Sequence, residues 1–154
     1  MIKVDVFVKE KKWKKYFLDP KKYVNKKIKE VKKLLPLFKN KKIKFTILLT
    51  NSQEIRKFNK KFRNKNKSTD VLSFPFYIEK DLKKKLIQNN NIYLGDIILN
   101  FNKISKISKK IFISHFNKLL IHGFLHLLGY KHFKNKDFKK MQNLEIKLEN
   151  KIEN

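Results

Sequence analysis

The chain has 154 residues and no cysteine, which excludes disulfides, thiolate metal sites and cysteine nucleophiles and leaves histidine and carboxylate as its only strong metal ligands. A single domain of this length buries roughly two thirds of the surface its unfolded form exposes, so it can hold a core without staples. The net charge of +27 favours a polyanionic partner because phosphates neutralised by Lys or Arg release counterions, yet lysine and asparagine enrich the whole sequence, and charge alone does not separate RNA, DNA and anionic membrane.

Residues 2 to 8 alternate polar and apolar side chains and read as a strand, with neither the apolar core nor the small-residue cleavage site of a secretory leader. From Pro20 to Leu35, Tyr23, Val24, Ile28, Val31, Leu34 and Leu35 recur at helical spacing. Ile43 to Leu49 is a β-branched, apolar run suited to a buried strand. Asn51 or Ser52, followed by Glu54, caps a second helix that continues to about Phe62, and the polar stretch from Asn64 to Ser68 breaks it.

Val71 to Phe74 is a short strand ending at Pro75, and the lysine-rich stretch from Glu79 to Asn91 reads as an exposed excursion. Ile92 to Leu99 is the next strand. A strongly apolar segment from about Ile111 to Leu128 predicts a central helix, and a last amphipathic helix is expected from Asn135 to about Ile152. Its Phe138, Met141, Leu144, Leu148 and Ile152 are assigned to the core. Four strands with helices between them give one α/β or α+β domain over residues 1–154, with no internal repeat or linker. No apolar run approaches the ~20 residues that cross a bilayer, so the expectation is a soluble, cytoplasmic protein.

Only two arginines, Arg56 and Arg63, and three glycines, Gly95, Gly123 and Gly129, occur. In a lysine-biased composition an arginine persists best where a planar, bidentate fork is needed, and a glycine where only glycine fits. Three of the four histidines lie in the segment from Ile121 to His132. His122 and His126, four apart on a helix, stand one turn above the other and can reach a single ion. Gly129 sits where a helix would end in a left-handed residue, and the turn can swing His132 back as a third ligand. The donor set suits one zinc ion with an open fourth position, the arrangement of a catalytic rather than a structural site. His115, seven residues before His122, is read as a core or surface histidine. The spacing also matches zinc proteases with His-Glu-x-x-His, but Gly123 stands where their general base would be.

Three segments, Thr69-Asp70-Val71-Leu72-Ser73-Phe74-Pro75, Leu94-Gly95-Asp96-Ile97 and His122-Gly123-Phe124-Leu125-His126-Leu127-Leu128-Gly129-Tyr130-Lys131-His132, together resemble the YbeY family of rRNA maturation factors, in the same order and across nearly the whole chain. The resemblance implies an α+β domain with a small mixed four-stranded sheet, about five helices and a zinc site on a central helix. It implies one Zn2+ per chain on His122, His126 and His132, with His122 and Arg63 as catalytic residues. The implied activity is that of a single-strand-specific endoribonuclease in the processing of the 16S rRNA 3′ end and in ribosome quality control. Its partners would be single-stranded rRNA and the small ribosomal subunit, with neither DNA nor membrane.

One departure stands out: the family commonly has aspartate before the last histidine, where this chain has Lys131, which can instead contact a phosphate. Thr69 and Asp70 can shape either the site or an ordinary turn. Phe74, Pro75 and Phe76 can offer a surface to a stacked base, but core packing is the reading preferred here. The rival functions are a non-enzymatic ribosome-assembly factor with a structural zinc and, third, a zinc protease with an unfamiliar base.

Overall fold

A computed structural model describes residues 1–132 and 135–153, so the single-domain reading of 1–154 reaches over three residues outside that range. The described residues form one α+β domain of four strands and five α-helices: β1 (Ile2–Val8), α1 (Pro20–Lys33), β2 (Lys42–Thr50), α2 (Ser52–Arg63), β3 (Val71–Pro75), α3 (Glu79–Gln88), β4 (Asn91–Asn100), α4 (Lys109–Leu127) and α5 (Asn135–Glu153). The sheet order is β1-β2-β4-β3, parallel between β1, β2 and β4, and antiparallel between β4 and the edge strand β3.

Local chemistry starts the helices where the sequence signals them. Asp19 accepts from the Lys22 N–H ahead of Pro20 at the start of α1, Asn51 accepts from the Glu54 N–H at α2, and Ser108 accepts from the Ile111 N–H at α4. The helix α2 stops at Asn64, whose φ of 55° is the left-handed conformation asparagine tolerates.

On one face of the sheet, α1 and α4 bury Val24, Ile28, Val31, Phe116, Leu120 and Phe124 against inward residues such as Val4, Phe45 and Ile47. Trp13, fully buried in a short turn of helix, donates its indole N–H to the Thr50 carbonyl at 3.0 Å and meets Phe101, Phe112 and Phe116 edge-on. The opposite face is covered only in part, by α2, through a small cluster of Ile55, Leu72 and Ile98.

β4 changes phase part-way along. Lys44 pairs with Tyr93 and Thr46 with Asp96, so Leu94 and Gly95 together oppose Phe45 in a β-bulge. Gly95 takes a φ of +130°, and a Cβ there would lie 2.1 Å from the Phe74 carbonyl oxygen, so only glycine fits. Before the bulge Ile92 and Leu94 point into the main core; after it Ile97 and Leu99 do.

Three expectations are corrected. The stretch from Glu79 to Asn91 is not an exposed excursion: it holds α3, which buries Leu82 and Leu86 while its lysines stay in water. Phe138 is outside the core at 46% exposure, whereas Met141, Leu148 and Ile152 are buried and Leu144 packs beside them. Core packing also fails for Pro75, exposed in the last pair of the β3 ladder opposite Gly95, and for Phe76, exposed just beyond it, and holds only for the half-buried Phe74. No helix among the described residues is long and apolar enough to cross a membrane.

Candidate metal centre

α4 crosses the sheet behind β3 and β4, and Gly123 is what lets it approach closely. A Cβ at that position would sit 2.9 Å from Ile97 Cγ2 and 3.2 Å from Ser73 Oγ. The Ser73 hydroxyl donates to the Gly123 carbonyl at 3.2 Å, tying β3 to the residue beside His122. At its end α4 is closed by two backbone bonds, Gly129 N–H to the His126 carbonyl at 3.0 Å and Tyr130 N–H to the Leu125 carbonyl at 3.2 Å, with Gly129 at φ +89°. That is the Schellman arrangement, and it turns the chain so that His132 comes back over His126.

The three ring nitrogens converge. His126 Nε2 lies 3.0 Å from His122 Nε2 and 2.8 Å from His132 Nε2. The other nitrogens of two rings are already committed: His122 Nδ1 lies 2.6 Å from Glu145 Oε1 on α5, and His126 Nδ1 lies 2.8 Å from the Tyr130 carbonyl oxygen. A carbonyl and a carboxylate can only accept, so both Nδ1 atoms carry the hydrogen and donate. In the neutral rings the Nε2 atoms therefore bear lone pairs, which face one another across 3.0 Å. Burial, assisted by the His122 ring, holds His126 down at about 4, and burial also lowers His132, so both rings are shifted toward the neutral form that can ligate a cation. A cation placed among the three nitrogens satisfies all of them, and the group can hold a metal ion.

Glu145 was not foreseen from the sequence. It belongs to a row, Glu145, Glu149 and Glu153, spaced one helical turn apart on α5. Glu153 accepts from the Ser114 hydroxyl at 2.6 Å, and Glu149, whose carboxyl is pushed up by burial, feels Lys118. Turn by turn, the row matches His122, Lys118 and Ser114 on α4. The only signal available was the four-residue spacing of these acids on the last helix.

Arg63, by contrast, does not join the histidines. At the end of α2 it donates from Nη2 to the Ser73 carbonyl at 2.7 Å, with its guanidinium carbon 5.6 Å from the Phe74 ring centre. It is connected to the histidine helix through Ser73, whose backbone holds Arg63 and whose hydroxyl holds Gly123. Thr69 and Asp70 make the bonds of a turn: Asp70 Oδ1 accepts from the Thr69 hydroxyl and the Val71 N–H, and the Asp70 carbonyl accepts from the Asn100 N–H. His115 accepts from the Ser105 N–H at 3.1 Å and lies outside the metal-ligand group. Lys131 is exposed and lines a cavity of about 400 Å³ with Leu82, Tyr130, Lys140 and Leu144.

Replacing Gly129 with alanine tests the turn. The new Cβ would take a positive φ and lie 2.8 Å from Glu79 Cβ, so the expected loss is about 1–3 kcal/mol, read as a fall of several degrees in the midpoint of thermal unfolding. An unchanged midpoint would mean that the turn does not constrain His132 in this way.

Comparisons with known proteins show what the chain is similar to. The family model described as Endoribonuclease YbeY matches residues 7–153. A relative from Pelagibacter ubique named Endoribonuclease YbeY is 47% identical over 145 residues, covering 92% of this chain and 90% of the relative. One of the same name from Buchnera aphidicola is 42% identical over 121 residues, covering 77% and 73% respectively. A solution structure of a protein from Thermotoga maritima aligns with a TM-score of 0.60 at 25% identity, over 99% of this chain and 89% of that one.

Proposed function

Because the chain belongs to the YbeY endoribonuclease family, we propose that it is a zinc-dependent, single-strand-specific endoribonuclease that matures the 3′ end of 16S rRNA in the cytoplasm and serves ribosome quality control on the small subunit. RNA as substrate follows from the family; zinc, the ribosomal role and the site residues are our reading. The observation that carries it is the convergence of three imidazole nitrogens, two of them fixed in the metal-binding tautomer by Glu145 and by the Tyr130 carbonyl. An all-imidazole set of three suits zinc with a fourth position left for water or substrate.

When bound, such an ion supplies Lewis acidity toward a phosphate oxygen or a water molecule. The protein's own part is positioning. Glu145 holds the His122 ring in place. Arg63 spends one N–H on Ser73 and keeps the rest of its fork for the non-bridging oxygens of the scissile phosphate, where negative charge grows as the bond breaks. Lys131, exposed beside His132, adds a positive charge for a neighbouring phosphate. Gly123, packed on Ile97, leaves no room for the glutamate that a protease of this spacing would place there.

The test follows cleavage of an end-labelled single-stranded RNA carrying a 16S 3′ end, with matched preparations of wild type, His122→Ala and Arg63→Ala. Wild type is expected to cut and to stop on chelation; His122→Ala is expected to be inactive. Arg63→Ala should retain zinc and fold while losing about 10²–10³-fold in rate, the usual effect of removing one preorganised donor. Equal cleavage by all three would expose a contaminating nuclease. No cleavage from a zinc-loaded, rRNA-binding wild type would favour an assembly factor with a structural ion.

A further inference from the structure

The half-covered face of the sheet carries exposed aromatic side chains. Beside α2 lies an apolar groove of about 440 Å³ lined by Phe7, Leu48, Phe58, Phe62, Phe74 and Ile98. Phe7, Phe62 and Phe76 are 60%, 57% and 64% exposed. The rings follow one another: Phe58 and Phe62 are near-parallel at 6.2 Å, Phe62 meets Phe74 edge-on at 5.6 Å, and Phe76 meets Tyr93 at 5.8 Å. Cations stand beside them, with Lys61 Nζ 5.2 Å from the Phe62 ring centre and the Arg63 guanidinium 5.6 Å from that of Phe74.

The acids on this face are already engaged. Asp5 lies 3.9 Å from Lys3 and 3.8 Å from Lys21, and Asp96 accepts from the Tyr93 hydroxyl at 2.6 Å. Aromatic rings interleaved with cations are what an unpaired nucleic-acid strand needs, since every base has a face to stack and every phosphate a charge to neutralise. A second copy of the chain, itself at +27, is repelled, and so is any basic protein. A neutral apolar peptide would fill the groove but make no use of the cations.

We propose that this face is a second, non-catalytic binding site for single-stranded RNA, in which bases stack on Phe62, Phe74 and Phe76 while Lys61 meets a phosphate and Arg63 marks the border with the catalytic site. The inference rests on the endoribonuclease reading for the identity of the strand. It gives that reading a route: Arg63 borders the aromatic face and is held by Ser73, whose hydroxyl reaches the Gly123 carbonyl next to His122. A strand lying on the rings is thereby led past β3 toward the histidines. Selection for unpaired RNA follows, because a duplex hides its base faces.

The test measures fluorescence anisotropy of a labelled 2′-O-methyl single strand with the full-length protein, alongside an abasic strand of the same length and charge. Phe62→Ala and Phe76→Ala are each expected to weaken binding of the base-bearing strand about tenfold, within the range that loss of one base–aromatic stack produces. Phe62→Trp, which keeps a ring, should bind as wild type does, and the abasic strand should not distinguish the variants. Equal affinity across all proteins, equal losses on the abasic strand, or absence of wild-type binding would overturn the proposal. So would self-association in sedimentation that depends on Phe62. Cleavage is read separately on unmodified RNA: a chain that binds through these rings but cuts nothing sinks the nuclease reading alone, and one that cuts but binds the strand without regard to the rings sinks only this one.

Discussion

His126→Ala is expected to lower zinc affinity by about three orders of magnitude and to bring RNA cleavage down to the level of chelated wild type. His126 is the hinge of the group, since its Nε2 is within 3.0 Å of both other ring nitrogens. Removing it leaves two ligands, one on α4 and one beyond the turn, with no donor between them. A four-ligand structural zinc site binds with roughly 10–16 kcal/mol, so each ligand accounts for about 3–4 kcal/mol, the upper end of which is close to the thousandfold figure. The ring also enters the unliganded protein neutral, because burial keeps it at about 4, so at neutral pH no proton has to be displaced when the ion binds. Zinc per chain after dialysis against a buffered zinc pool, measured beside cleavage, decides the matter. If the variant keeps one tightly held ion per chain, the three histidines are not the metal ligands, whatever the cleavage assay shows.

Much of this centre is legible in the sequence because its parts are local. The i, i+4 histidines, the glycine at the end of the helix and the third histidine lie within eleven residues, and helix geometry plus one turn motif connects them. What could not be read depends on register between distant elements. Glu145 reaches His122 only because α5 lies along α4 with its acids matched to the right turn. The bulge at Gly95 reverses which residues of β4 face the core, and nothing in Leu94-Gly95-Asp96-Ile97 alone says so. α3 was hidden by composition: with lysine at 80, 83, 84 and 85, the Leu82–Leu86 pair that fixes it in the core looks like an interruption, although long lysine stems readily leave a helix's apolar stripe intact. Phe138 and Phe76 went the other way, since an aromatic residue at helical spacing or after a strand reads as core whether or not an element lies opposite it.

The second large effect concerns the partner that sequence reasoning missed. Glu145→Gln is expected to weaken zinc binding about tenfold and Glu145→Ala about a hundredfold, the span seen when the carboxylate behind a metal-bound imidazole is altered or lost. The carboxylate at 2.6 Å does two things for His122: it fixes the hydrogen on Nδ1, so that Nε2 offers a lone pair to a cation, and its negative charge favours a cation held by that ring. Glutamine can keep the first by accepting through its amide oxygen, but not the second; alanine loses both and frees the ring to rotate. This also bears on Lys131, exposed next to His132: the carboxylate that meets a ring of the group comes from α5, so Lys131→Asp should change zinc affinity less than Glu145→Gln does. Glu145 and His122 also form a part-buried pair between two helices, and a purely structural role would appear as a lower unfolding midpoint in metal-free protein with zinc affinity intact. Competition titration with a chromophoric chelator, run beside thermal melts of the metal-free variants, separates the two, because only a positioning role moves the zinc constant and grades it from glutamine to alanine.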